Sequence, residues 1–166
     1  MQNTKLREEH KMIELYERHV DMVYRICFSY LKSTMDTEDM VQNTFIRLLD
    51  RPVEFENEAH EKAWLIVTAR NLCRNHLKSW WQKNSNLEEE MYHLSMEEEA
   101  DQNLLEMVMK LPEKYRVTLY LYYYEGYDSA EIAKLMEKPS STVRNYLQRG
   151  RDRLKVMLGE DIFEKQ

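Results

Sequence analysis

Turn-forming residues are scarce in this chain, which has three glycines and three prolines in 166 residues. A β-sandwich or barrel needs such residues at nearly every hairpin, so the shortage argues against an all-β fold. Cysteine is scarcer still. Cys27 and Cys73 both lie inside apolar helical patterns, which fits buried thiols kept reduced in a cytosolic protein rather than a disulfide scaffold. The N-terminal stretch MQNTKLREEHK is too polar for a secretory signal. No apolar run approaches the ~20 residues of a membrane-spanning helix. These absences predict a cytoplasmic protein with no membrane insertion. Signatures of chemistry are missing too: there is no P-loop, no metal-ligand spacing and no nucleophile motif. His10, His19, His60, His76 and His93 have no companion ligands at useful spacing. The expectation is a non-enzyme without cofactor or metal.

Charge and helical periodicity are abundant. Charged residues make up 33% of the chain, and long stretches repeat their apolar positions at 3.6-residue spacing, which points to an all-α fold. The length allows one domain or two small ones. The net charge of −6 at first argues against nucleic acid, but its distribution matters more than its sum. Glu88, Glu89, Glu90, Glu97, Glu98, Glu99 and Asp101 fall between residues 84 and 103, which hold no Lys or Arg. Further acid lies between residues 36 and 61. Two other stretches are basic.

The first basic stretch organises the C-terminal part. EIAKLMEKPSSTVRNYLQRGRDR, from Glu131 to Arg153, holds a short apolar-periodic segment with Ile132, Ala133, Leu135 and Met136. A break follows at Glu137-Lys138-Pro139, then a longer segment that Ser140 or Ser141 can cap. This reads as a helix-turn-helix, with Ala133 small at the crossing and Val143 packing back on the first helix. On the second helix Val143, Tyr146, Leu147, Gly150 and Leu154 fall on one side. Ser141, Arg144, Asn145, Gln148, Arg151 and Lys155 fall on the other, and these side chains suit base edges and phosphates. Arg149 and Arg153 lie off that stripe, where they suit phosphates. A solvated amphipathic helix is the plainer reading, but turn, spacing and local charge together favour DNA reading.

The N-terminal part reads as three helices. Residues 11 to 32 carry Ile13, Tyr16, Val20, Val23, Tyr24, Cys27, Tyr30 and Leu31 at core spacing, and Ser33-Thr34-Met35 is the loop after them. Asp36 opens the next helix, with Asp39 in its first turn. Its buried stripe is Met40, Val41, Thr44, Phe45, Leu48 and Leu49, which leaves Glu38, Asp39, Gln42 and Asn43 outside. Residues 52 to 62 read as an acidic loop with one aromatic, Phe55. The third helix, 63 to 83, contains no acid. Leu65, Ile66, Ala69, Leu72, Cys73, Leu77 and Trp80 form its core side. Arg70, Asn71, Arg74, Asn75 and Lys78 occupy another arc, with Trp64, Val67 and Trp81 projecting there. A basic, amide-bearing face with aromatics suits single-stranded or melted nucleic acid. Trp64 fits either that face or the core. Further on, YRVTLYLYYYEGY suits a strand by composition, but Val117, Tyr120, Leu121 and Tyr124 follow helical spacing and Gly126 supplies a stop. Pro112 suits the first position of that helix.

Several motifs in series give the chain a family resemblance. DTEDMVQNTF runs from Asp36, WLIVTARN from Trp64, LPEKYR from Leu111, EIA from Glu131 and KPSSTVRNYLQRGR from Lys138. In this order, over residues 12 to 158 apart from the acidic stretch, they resemble the small two-domain sigma factors of bacterial RNA polymerase, the extracytoplasmic-function type. The resemblance implies two helical domains: 1–83 for core polymerase and the minus-ten promoter element, and 104–166 for the minus-thirty-five element. A flexible acidic linker, 84–103, would join them and thread toward the polymerase channel. It implies that the helix with Asp36, Glu38, Asp39, Gln42 and Phe45, and Asn43 beside them, docks on the β′ clamp helices. The loop from Phe55 and the helix from Trp64 would open the minus-ten element and hold a flipped-out base near Asn71 and Asn75. Implied partners are core polymerase (β′ clamp helices and β flap), promoter DNA and an anti-sigma factor. Thr68 stands where the family usually has Ile, Val67 where a basic residue is common, and Glu137 where Gly is usual.

Two rival readings leave residues unexplained. A helix-turn-helix regulator acting without stable polymerase binding would not use the Asp36–Phe45 and Trp64–Asn71 motifs. A metal-dependent nucleic-acid enzyme built on Asp36 and Asp39 has no converging third ligand.

Overall fold

The protein is described from a computed structural model that covers residues 2–83 and 104–159. The acidic stretch 84–103 therefore lies outside the described residues. The chain divides into two compact units, Met1–Lys83 and Asn84–Gln166, and all elements among the described residues are helical.

The first unit packs three helices: α1 (Gln2–Leu31), α2 (Thr34–Asp50) and α3 (Glu58–Lys83). α1 begins well before residue 11 because its exposed first turns are made of strong helix formers such as Lys5, Leu6, Arg7 and Glu8. Its buried stripe is Leu15, His19, Met22, Val23, Ile26, Cys27 and Tyr30. Ile13 and Tyr16, expected in the core, are exposed; Tyr16 instead sets its ring edge-on against Phe45, 4.8 Å away.

The joint to α2 is shorter than the sequence suggests. Lys32 adopts the left-handed conformation, φ 61, and Ser33 caps α2 by accepting the Asp36 N–H on its hydroxyl at 3.2 Å. The helix thus starts at Thr34, and Asp36 stands in its first turn rather than at the cap. α2 buries Met40, Val41, Thr44, Phe45 and Leu48 but leaves Leu49 exposed.

α3 also starts early. Asn57 Oδ1 accepts the His60 N–H at 2.8 Å, so the last residues of the expected loop are helical. Two side-chain pairs tie α3 to its neighbours. Glu61 accepts from Arg18 at 3.1 Å and lies 3.3 Å from the buried His19. His76 Nε2 lies 3.4 Å from Asp36 Oδ2. Between these ties Leu65, Ile66, Ala69, Cys73 and Leu77 fill the core, and Cys27 and Cys73 are buried free thiols.

The second unit comprises α4 (Leu104–Met109), α5 (Glu113–Leu119), a π-helical turn (Tyr120–Tyr124), α6 (Ser129–Met136) and α7 (Ser140–Leu158). Pro112 stands just outside α5, with ψ 145. The tyrosine-rich stretch is helical, as its apolar spacing indicates, but its last turn widens so that the Glu125 N–H reaches the Tyr120 carbonyl. Gly126, at φ 78, ends it. Asp128 caps α6 by accepting from the Glu131 N–H at 2.8 Å.

The turn between α6 and α7 is the expected one. Glu137 has φ 54 and ψ 47, and the Lys138 N–H bonds back to the Ala133 carbonyl at 2.9 Å. This is a Schellman closure with glutamate where glycine is at ease, a strain of about 1 kcal/mol. Pro139, extended at ψ 146, immediately precedes α7, and no side chain caps that helix; the serines expected to do so are already helical. Ile132, Ala133, Leu135, Met136, Val143, Leu147 and Leu154 form the core with Val117, Leu119 and Leu121. Arg116, buried among them, donates to the Leu111 carbonyl at 2.7 Å.

Candidate nucleic-acid interfaces

On α3 the expected polar arc is mostly open. Asn71, Arg74, Asn75 and Lys78 are exposed. Arg70 is not: it is 4% exposed, and its Nη1 donates to Asn71 Oδ1 at 3.1 Å. At about 100° per residue Arg70 falls about 20° from Leu77, which places it at the edge of the core rather than on the outer arc. Its bond takes one lone pair of the Asn71 oxygen and leaves that amide's N–H groups available.

Beside this arc lies a cavity of about 250 Å³, lined by Arg47, Arg51, Val53, Trp64, Thr68, Asn71, Leu72 and Asn75. Half-buried Trp64 walls it, braced by the edge of Phe55 at 5.9 Å. Thus Trp64 serves both the packing and the surface. The cavity combines an aromatic wall, two amides and two guanidinium groups, which suits a planar heteroaromatic ring on a phosphate chain. Sequence reasoning missed Arg47, Arg51 and Val53. The signal was available: Arg47 and Arg51 are an i,i+4 basic pair ending an otherwise acidic helix.

On α2, Glu38, Asp39, Gln42 and Asn43 are exposed together. Exposed Met35, Ile46 and Leu49 border them, so the face mixes acid with apolar surface. Two residues expected there are turned elsewhere. Phe45, 6% exposed, packs on Tyr16, and the Asp36 carboxylate lies 3.4 Å from His76 Nε2 without a hydrogen bond between them. Phe45 occupies the helix's apolar stripe, and Asp36 in the first turn points back to α3.

On α7, Ser141, Arg144, Asn145 and Gln148 are exposed and Arg151 is half-buried. Gln148 donates to Asp152 at 3.0 Å, and Arg151 Nη1 donates to the Tyr123 hydroxyl at 3.1 Å. The other cations gather around Tyr115. A hydrogen bond from Arg149 holds the Tyr115 phenol below the ordinary tyrosine pKa, and the charges of Lys114 and Arg153 act in the same direction. Arg153 stacks over that ring at 5.0 Å. Gly150 is where α7 crosses α5: a Cβ there would meet Leu119 Cδ1 at 2.9 Å. On the far side of α7 an apolar groove of about 440 Å³ is lined by Lys110, Leu111, Pro112, Asp152, Arg153, Val156 and Met157.

Among the described residues no cluster of His, Cys, Asp or Glu could hold a metal ion, and no helix is long and apolar enough to cross a membrane.

Residues 15–82 match the family Sigma-70 region 2, and residues 101–154 match Sigma-70, region 4. The chain belongs to the sigma-70 family, in its extracytoplasmic-function type. It is similar to the ECF RNA polymerase sigma factor SigW of Bacillus subtilis, 24% identical with 89% of this chain and 87% of that one covered. It is also similar to SigM of the same organism, at 25% identity with 92% and 98% covered. Among solved structures, the sigma factor RpoE of Bartonella quintana, in complex with the anti-sigma factor NepR, superposes with a TM-score of 0.73 at 18% identity, covering 91% of this chain and 98% of that one. As a sigma factor the chain acts in promoter recognition and transcription initiation, and both of its units have a place in that role. The reading as a helix-turn-helix regulator without polymerase has no use for region 2.

Proposed function

We propose that this sigma factor divides its work along the chain: residues 1–83 engage core polymerase and the minus-ten element, 84–103 tether, and 104–166 read the minus-thirty-five element. The observation that carries the proposal is the cavity beside Asn71 and Asn75, because it is shaped and lined for one unstacked base. Asn71, Asn75, Arg74 and Lys78 meet the melted strand there, and Arg47 and Arg51 join them. Buried Arg70 acts by holding Asn71. Glu38, Asp39, Gln42 and Asn43 dock on the β′ clamp helices; Phe45 and Asp36 support that helix from within. On α7, Arg144, Gln148 and Arg151 follow the major groove, Ser141 and Asn145 flank them, and Arg149 takes a phosphate. The groove ending at Val156 and Met157 suits the β flap.

Core polymerase performs the chemistry, and this chain is not an enzyme. Its place is the cytoplasm, and its further partner is an anti-sigma factor, as for the RpoE–NepR pair. Run-off transcription with purified core polymerase tests the division. The wild-type chain should direct initiation from a cognate promoter. Asp39→Arg should weaken core association about tenfold, the scale of one lost charged contact, with an unchanged fold. Asn75→Ala should bind core normally yet lower permanganate reactivity of melted thymines. If Asn75→Ala opens promoters as wild type does, the cavity is not the base site.

A further inference from the structure

The tyrosine-rich segment before the helix-turn-helix is absorbed only in part by the core. Leu121 is buried, whereas Tyr122, Tyr123 and Tyr124 are exposed. Their rings pack locally rather than in the core: Tyr122 lies edge-on to Tyr123 at 4.9 Å and Tyr124 stacks on Tyr120 at 5.3 Å. One of them has a partner on the reading helix: the Tyr123 hydroxyl accepts from Arg151 Nη1 across 28 residues of sequence.

The geometry behind this bond follows from the helix crossing. Tyr115, Leu119 and Tyr123 stand at i, i+4 and i+8 along α5 and the π-helical turn. In a regular α-helix such a series drifts around the axis. The wider turn from Tyr120 to Tyr124 winds less per residue, which turns Tyr123 back against that drift. Leu119 meets Gly150, where the missing side chain lets the helices approach. Arg149 and Arg151 each sit about 100° from Gly150, one on either side. Tyr115 therefore holds Arg149 on one flank, and Tyr123 holds Arg151 on the other. The second flank is the one shared with Arg144 and Gln148.

We propose that Tyr123 is a positioning residue for promoter recognition: its hydroxyl fixes the Arg151 guanidinium beside Arg144 and Gln148. The proposal rests on α7 reading the minus-thirty-five element. A guanidinium carries five N–H donors in a planar fork. One is spent on Tyr123, and the remaining edge faces outward with its direction set. A long side chain restrained before DNA arrives loses less rotamer freedom on binding and discriminates more sharply between acceptors. The phenol keeps its own O–H to donate to the DNA backbone. The π-helical turn thus gives a residue outside the helix-turn-helix a part in reading the sequence.

Tyr123→Phe removes only the hydroxyl and keeps the ring against Tyr122, 4.9 Å away. The full chain, with core polymerase, is tested by selecting from promoters randomised in the upstream element. Wild type, Tyr123→Phe, Arg151→Ala and the double variant run in parallel, with thermal unfolding recorded for each. The expected result is an unchanged unfolding temperature for Tyr123→Phe and a preference at the Arg151-dependent position relaxed about fivefold, the scale of one ordinary hydrogen bond. In the Arg151→Ala background the phenylalanine should change nothing further. If Arg151→Ala alters the upstream preference and Tyr123→Phe does not, the positioning role falls while the reading by α7 stands. If Arg151→Ala leaves the preference as it was, both fall. Independent, multiplying effects of the two substitutions also overturn the proposal, because the tyrosine would then act without the arginine.

Discussion

The two basic helices, α3 and α7, carry similar side chains and spend them differently. α3 is packed against both α1 and α2, and its buried residues from Leu65 to Leu77 span an arc of about 140° at 100° per residue. That arc is wide enough to take in Arg70. α7 buries only Val143, Leu147, Gly150 and Leu154, an arc of about 60°. No cation on α7 is therefore fully buried: Arg144, Arg149 and Arg153 are exposed and Arg151 is half-buried against Tyr123. The width of the buried arc, more than the composition of the helix, decides which basic residues remain available to DNA.

The narrow stripe concentrates the stability of the second unit in few side chains, which gives the largest expected effect. Leu147, 3% exposed, should cost about 2–5 kcal/mol when replaced by alanine. Denaturant unfolding should show the loss, and DNA binding by α7 should fall for all sequences together. A cost below about 1 kcal/mol would mean that α7 is held more broadly than its buried arc indicates.

The wide arc of α3 makes a sharper comparison. Arg70 and Arg74 are one helical turn apart and were indistinguishable by residue type. Arg70→Ala should destabilise the first unit by about 2–3 kcal/mol, through lost packing of its stem and of its bond to Asn71. Arg74→Ala should leave unfolding unchanged within about 0.5 kcal/mol, as exposed substitutions do, while weakening promoter opening. Equal stabilities for the two variants would erase the distinction between the arcs.

Much of this molecule could be read before its structure. The helices, the turn at Glu137 and the exposed polar stripe of α7 follow from apolar spacing and turn chemistry, which are local. What could not be read depended on partners distant in sequence. By polarity Arg70 groups with Arg74 and Lys78, although its angle lies next to Leu77; two packing neighbours, invisible in sequence, close over it. Asp36 reads as a cap until Ser33, three residues earlier, is seen to accept its N–H. Arg47, Arg51 and Val53 enter the cavity only because the end of α2 folds back beside α3. Tyr123 meets Arg151 from within a widened turn 28 residues away in sequence.

Within α7 the residues of the outward stripe should each fail at a single base position. Arg144 and Gln148 lie on the reading stripe, and replacing either with alanine should relax discrimination at one base position by about 1–3 kcal/mol. Selection from a randomised upstream element measures this. Unchanged preferences for both variants would remove the stripe from base reading.

The smallest effect belongs to Arg149, and it separates the two flanks of the helix. Arg149 sits about 140° from Arg144 around the axis, beyond the reach of base edges that the stripe would face. It lies beside Tyr115, whose phenol it holds below the usual pKa. A cation so placed can meet a phosphate but carries no sequence information. Arg149→Ala should therefore weaken DNA binding by about 0.5–1 kcal/mol, as for one exposed charged contact. It should do so equally for all upstream sequences. The slope of log affinity against log salt should shrink by about 0.9, one phosphate's worth of released counterion. Binding measured across a salt series on two promoters that differ in the upstream element checks both parts. A change in the ratio of the two affinities would place Arg149 on the reading face, and the separation of flanks by Gly150 would have to be abandoned.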